Sequence, residues 1–233
     1  MPTEIGALAL YRLMAWLSPG FPVGGYSYSH GIEYAVEAGL VTDGPALEAW
    51  IAEILCRGAG LIDAGLLAAA FRAAQAEDHR ALLAVAERAQ AWRSTAETAL
   101  ESEAQGAAFL AAVAAGWPDP GRDAAVAALR EAGVAPAYAV AIGLAGAFAK
   151  VPADALARAY LQAFAASLVS AGVRLIPLGQ SEGVRILAAL EPAVERAAAL
   201  AHGTDLEDLG TSAWMTEWTS MRHECQYTRL FRS

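Results

Sequence analysis

Leu61-Ile62-Asp63-Ala64-Gly65-Leu66-Leu67-Ala68-Ala69-Ala70-Phe71-Arg72-Ala73-Ala74-Gln75 is the stretch that decides the fold class. Alanine has the highest helix propensity of any residue, so the run reads as helix. Two further alanine-rich segments, from His79 to Trp92 and from Ser94 to Ala115, read the same way, and their small side chains let helices pack closely. Upstream, Asp43-Gly44-Pro45 reads as a helix cap with proline at the first helical position. Leu47, Ile51, Ile54 and Leu55 then give that helix a single apolar face. Leu10, Leu13, Met14 and Leu17 recur at i, i+3, i+4, i+7, which predicts an amphipathic first helix ended by Pro19 and Gly20.

Downstream, Gly116-Trp117-Pro118-Asp119-Pro120-Gly121 is the strongest break in the chain, where a division into two domains is the less favoured alternative. A helix to about Glu131 and another from Pro136 to Ala149 follow. A long helix then reaches Val173, and Pro192 kinks or divides the helix after it. The uncharged stretch from Ala132 to Ala149 touches the lower limit for a membrane span, but Gly133, Pro136, Gly143 and Gly146 interrupt it, so it reads as a buried central helix. No period-2 alternation of β-branched residues occurs. The expectation is an all-α fold: one compact bundle of roughly ten helices over residues 1–233, without a significant β-sheet.

Composition narrows the function. Apolar residues are 56% of the 233 and charged residues only 18%, an excess that implies some apolar surface facing a partner. The net charge of −9 opposes binding to nucleic acid or to an anionic membrane surface, both of which need clustered Lys and Arg. Cys56 and Cys225 match neither a disulfide framework nor a zinc spacing, and the N-terminus lacks a basic region ahead of an apolar one, so a cytoplasmic protein with free thiols is expected.

Catalytic signatures are missing. The only lysine, Lys150, has no glycine-rich loop before it, and no Gly-x-Ser-x-Gly elbow or His-Glu-x-x-His helix is present. The histidines His30, His79, His202 and His223 are dispersed, and only His223-Glu224-Cys225 brings two soft ligands together, a weak metal candidate. Glu101 and Glu103, two apart on a helix, point to different faces and cannot share a proton, while Gly106 suits a close helix crossing. No catalytic residue and no cofactor is expected.

Two stretches carry binding character instead. Phe21-Pro22-Val23-Gly24-Gly25-Tyr26-Ser27-Tyr28-Ser29 is an unusually apolar loop, whose paired glycines permit it to lie tightly on a helix or a partner. The end, Met221-Arg222-His223-Glu224-Cys225-Gln226-Tyr227-Thr228-Arg229-Leu230-Phe231-Arg232-Ser233, is basic in an acidic protein and interleaves arginine with aromatics, the mixture found at interface hot spots. Such a tail is expected to bind a partner and to order on contact, with docking on its own core as the alternative.

Three stretches together resemble the UreF family of urease accessory proteins. Ser18-Pro19-Gly20-Phe21-Pro22-Val23-Gly24-Gly25-Tyr26-Ser27-Tyr28-Ser29-His30-Gly31-Ile32-Glu33 is similar to that family's SPxxPVGGFSYSxGLE signature. Val173-Arg174-Leu175-Ile176-Pro177-Leu178-Gly179-Gln180-Ser181-Glu182-Gly183 resembles its second signature, and the tail resembles its MRHETQYSRLFRS ending. Cys225 replaces the usual threonine, Ser181-Glu182 stands for Thr-Asp, and Val184 sits where glutamine is common. The resemblance implies an all-α homodimer without catalytic activity that bridges the UreD/UreH scaffold and the GTPase UreG on apo-urease, coupling GTP hydrolysis to nickel transfer. It implies partner-binding roles for Arg222, His223, Glu224, Gln226, Tyr227, Arg229, Leu230, Phe231 and Arg232. Dimer, GTPase-facing or structural roles fall on Gly24, Gly25, Tyr26, Ser27, Tyr28, Ser29, Gly31, Glu33, Arg174, Gly179, Gln180, Gly183 and Arg185. Arg174 and Arg185 are expected to hold the Leu-Gly-Gln turn between them. The alternative is a nickel-binding metallochaperone that uses His223 and Cys225.

Overall fold

The computed structural model describes residues 5–233. Helices run over Ala7–Trp16 (α1), Ile32–Glu37 (α2), Gly44–Arg57 (α3), Ala59–Gln75 (α4), His79–Ala91 (α5) and Ala96–Gly116 (α6). They continue over Pro120–Glu131 (α7), Tyr138–Phe148 (α8), Ala153–Leu175 (α9), Gln180–Ala189 (α10), Glu191–Gly203 (α11) and Trp214–His223 (α12). A short 3-10 turn lies at Gly25–Ser27, and no strand occurs among the described residues, so the all-α reading holds. Side-chain caps set many of the starts: Asp43, Asp78, Thr95 and Asp119 each accept the backbone N–H three residues on. Each such cap satisfies an otherwise orphaned donor and stabilises its helix by about 1 kcal/mol.

The centre of the protein is α4 packed on α8. Both are buried nearly all round, which explains why neither shows an amphipathic pattern. The segments Gly44–Gln75 and Ala153–Leu175 are long and apolar enough to cross a membrane, but the first is mostly interior to the core, being 78% buried. At α6, a Cβ on Gly106 would collide with the Pro136 carbonyl, so this glycine does mark a close crossing. Pro192 divides α10 from α11, with Leu190 between them.

One expectation is corrected. The buried stripe of α1 is Ala9, Leu13 and Trp16, while Leu10 and Met14 face outward with Leu8 and Tyr11. The helix is apolar on every side, and rotating it by about one position brings the large Trp16 indole inward against Phe109 and Trp117, a gain that outweighs two leucine-sized contacts. Trp117 packs edge-on to Trp16 and beside Phe21, which draws the break and the apolar 18–30 loop into one aromatic cluster.

Candidate functional site: the C-terminal strap and its cradle

The tail is a strap packed on its own chain. Glu33, in the first turn of α2 and only 7% exposed, accepts the backbone N–H of Leu230 at 2.6 Å and of Phe231 at 2.9 Å. The Arg232 N–H reaches the Ser27 carbonyl at 2.8 Å, and the Ser29 N–H reaches the Ser233 carbonyl at 2.6 Å. Ser233 Oγ also donates to Glu101 at 2.6 Å. Phe231 and Ser233 therefore point inward while Leu230 and Arg232 point out, the alternation of an extended segment.

His223 joins the strap to the cradle. Fully buried, it places Nε2 at 3.2 Å from Glu33 and Nδ1 at 2.6 Å from Glu97, and Arg229 pairs with the same Glu97 carboxylate. Glu224 adds a contact of its own: its carboxylate accepts the Ala96 N–H at 2.7 Å, at the positive end of α6. Gln226 donates to Glu37, and Arg222 lies over the Tyr34 ring at 5.6 Å.

This arrangement corrects the expectation that the tail gains order only on meeting a partner. The extended strap finds four carboxylates, Glu33, Glu37, Glu97 and Glu101, waiting on α2 and α6, so His223, Gln226, Arg229, Ser233 and the Leu230 and Phe231 N–H groups find partners at home. His223 and Phe231 face inward and are unavailable to a partner while the strap is docked, whereas Tyr227, Leu230 and Arg232 remain exposed. Both nitrogens of His223 are occupied by Glu33 and Glu97, and Cys225 is exposed; among the described residues no group of three potential ligands gathers.

The other signature residues divide between the cradle and ordinary structure. Gly24 takes a left-handed φ of +73° that turns the chain into the Gly25–Ser27 turn, leaving Tyr26 exposed and Tyr28 buried. Gly31, with φ +78°, has no room for a side chain: a Cβ would lie 2.7 Å from the Ser220 backbone nitrogen, so α12 packs directly on this glycine. Arg174 does not hold the Leu-Gly-Gln turn. It donates to the Tyr26 carbonyl at 2.9 Å and lies over the Phe231 ring at 4.3 Å, clamping the loop and the strap together, because the end of α9 aims it there instead. Arg185 pairs with Glu182 at 2.7 Å on exposed α10, Gly179 caps that helix ahead of exposed Gln180, and Gly183 packs on Val173.

Behind the cradle lies an internal polar cluster that the motif search missed. Asp63 of α4 pairs with Arg93 at 2.6 Å and accepts the Tyr160 hydroxyl at 2.7 Å, all three nearly inaccessible to solvent. Burial pushes the Tyr160 phenol well above its ordinary range, and Asp63 adds to that. A lone aspartate inside the Leu61–Gln75 apolar run was the available signal. His30, with φ +55°, sits 3.8 Å from Glu101. Burial alone would push its imidazolium down, but the Glu101 carboxylate outweighs this and holds the ring above 6.5. The stability this proton contributes is complete below about pH 6.5 and is lost as the pH climbs through the raised folded value. Tm is expected to fall across that window, and to fall less in His30→Gln; an NMR titration placing the ring at or below 6.5 would contradict it.

The described residues form an all-α body whose carboxylate cradle holds the chain's own Arg-rich, aromatic strap. Comparison with known proteins gives it a family: the UreF family model matches residues 41–191. The chain is 52% identical over 231 residues to a protein of Granulibacter bethesdensis named urease accessory protein UreF, covering 99% of this chain and 97% of the relative. Proteins of the same name from Rhodopseudomonas palustris strain BisB5 and Bradyrhizobium sp. strain BTAi1 are 51% and 47% identical, covering 97% and 99% of this chain and 91% and 95% of theirs. The chain belongs to the UreF family of urease accessory proteins.

Proposed function

We propose that this chain is a non-enzymatic cytoplasmic adaptor of urease maturation, a homodimer that binds the UreD/UreH scaffold and the GTPase UreG to promote GTP-dependent nickel insertion into apo-urease. The observation that carries the reading is the outward side of the C-terminal segment. Trp214, Met215, Trp218 and Met221 of α12 are exposed, and Tyr227, Leu230 and Arg232 of the strap continue that surface. Tryptophan, tyrosine, methionine and arginine are the types enriched at interface centres, and large exposed side chains of this kind are unfavourable without a partner. The scaffold is assigned to this surface. Self-association is assigned to α9, an apolar helix whose most hydrophobic stretch is only 50% buried and whose Ala159, Ala163 and Ala166 are half-buried.

The test is co-purification of the UreD/UreH scaffold with the full chain and with Tyr227→Ala/Leu230→Asp, both sized by light scattering. Truncating the tail would remove His223 from the core, so outward-only changes are needed. The variant is expected to stay folded and dimeric while scaffold capture drops at least about tenfold, the loss of one hot-spot contact. Unchanged capture would place the scaffold elsewhere.

A further inference from the structure

We propose that the groove between α12 and the α5–α6 junction receives an arginine side chain of the protein partner, an inference that deepens the adaptor reading and rests on its assignment of the partner to the α12 surface. The groove holds about 480 Å³, within the range of about 300–1,000 Å³ usual for binding clefts. The end of α5 contributes Trp92 to its wall, and α12 contributes Trp214 and Trp218. Trp92 is half-buried, but Trp214 is 76% exposed and Trp218 42%, so packing of the core does not account for them. Indoles left in water beside a groove mark a contact surface.

Glu217 decides the chemistry of the occupant. It lies between the two tryptophans in the sequence of α12, lines the same groove and is only half-buried. The other charged groups that line the groove have carboxylates of their own: Arg93 pairs with Asp63 at 2.6 Å, and His30 lies 3.8 Å from Glu101. Glu217 has no cationic partner within ion-pair distance among the described residues, so its charge is left for an incoming group. Its place in the first turn of α12 suits the helix dipole, which accounts for a carboxylate there but not for the indoles around it. An unpaired carboxylate beside indole rings recognises a cation, because the ring face attracts positive charge and the carboxylate adds an ion pair. Arginine fits better than lysine, since its flat guanidinium stacks on an indole while its N–H fork meets a carboxylate. The chain uses the same chemistry one turn along α12, where Arg222 lies over the Tyr34 ring at 5.6 Å and Tyr34 meets Trp218 edge-on at 5.5 Å. The net charge of −9 favours approach of a cationic surface.

The probes are N-acetyl-arginine amide and N-acetyl-citrulline amide, which share shape and differ in charge. Each is titrated into the full-length protein and followed by NMR at the indole N–H groups of Trp92, Trp214 and Trp218. The arginine compound is expected to give saturable shifts with a millimolar dissociation constant and to bind about fivefold more tightly than the citrulline compound, the combined effect of an exposed cation–π contact and an ion pair. In Glu217→Gln that preference should shrink to about twofold, and capture of the UreD/UreH scaffold should fall about fivefold. If that variant folds poorly, Trp214→Leu, a change at an exposed side chain, should lower both readings severalfold. Equal binding of the two probes, no saturable shift with either, or a Glu217→Gln chain that keeps the wild-type preference or the wild-type capture would each overturn the proposal. A wild-type chain that prefers arginine yet captures no scaffold would leave the arginine site standing and overturn the adaptor reading instead.

Discussion

Glu33→Ala is expected to lower the stability of the folded chain by about 3–5 kcal/mol, the range for removing one member of a buried charge cluster. The carboxylate accepts two consecutive strap N–H groups and faces His223, so its loss strands both N–H groups and takes away the partner of the buried His223 Nε2. Each orphaned donor costs about 1–3 kcal/mol if it stays buried, and the chain escapes part of that by letting the strap go. Urea denaturation therefore should show a lowered midpoint, and trypsin should cut at Arg229 and Arg232 far sooner than in the wild type. Glu33→Gln keeps the shape but turns donors toward donors, and it is expected to lie between the two. Wild-type stability in Glu33→Ala would mean that the strap contributes little to the fold.

Asp63→Ala comes next in size, with an expected loss of about 3–5 kcal/mol by the same reasoning. Arg93 is 7% exposed at its side chain and cannot reach water to replace its partner, and the Tyr160 hydroxyl loses its acceptor as well. The double change Asp63→Leu/Arg93→Met removes both charges together and should recover most of the loss. Denaturation of the singles and the double forms a cycle whose coupling should exceed about 1 kcal/mol. Additive losses would show that the two side chains act independently.

The scaffold of the fold is legible in the residues themselves. Asp43 and Pro45 announce α3, and the alanine runs announce α4 to α6, because capping and propensity act locally. The face that α1 buries is not legible, since Leu8, Leu10, Tyr11, Leu13, Met14 and Trp16 make every side apolar and only the packing partner chooses. The strap shows the same division. Its Arg-aromatic chemistry can be read off the chain, but its inward half depends on Glu33, about 190 positions away, and no local pattern reveals that distance. Among the acids of α6, adjacency in sequence drew attention to Glu101 and Glu103, whereas Glu97 and Glu101, one turn apart, are the pair that meet the strap.

In the free chain the strap is docked before any partner arrives. Hydrogen exchange of the free full-length chain, read at the Leu230, Phe231 and Arg232 amides, tests this directly. Protection of all three, collapsing in Glu33→Ala while the α4 and α8 amides remain protected, is the predicted result. Exchange at the rate of an unstructured peptide in the wild type would contradict it, and would make the strap an element that only a partner can order.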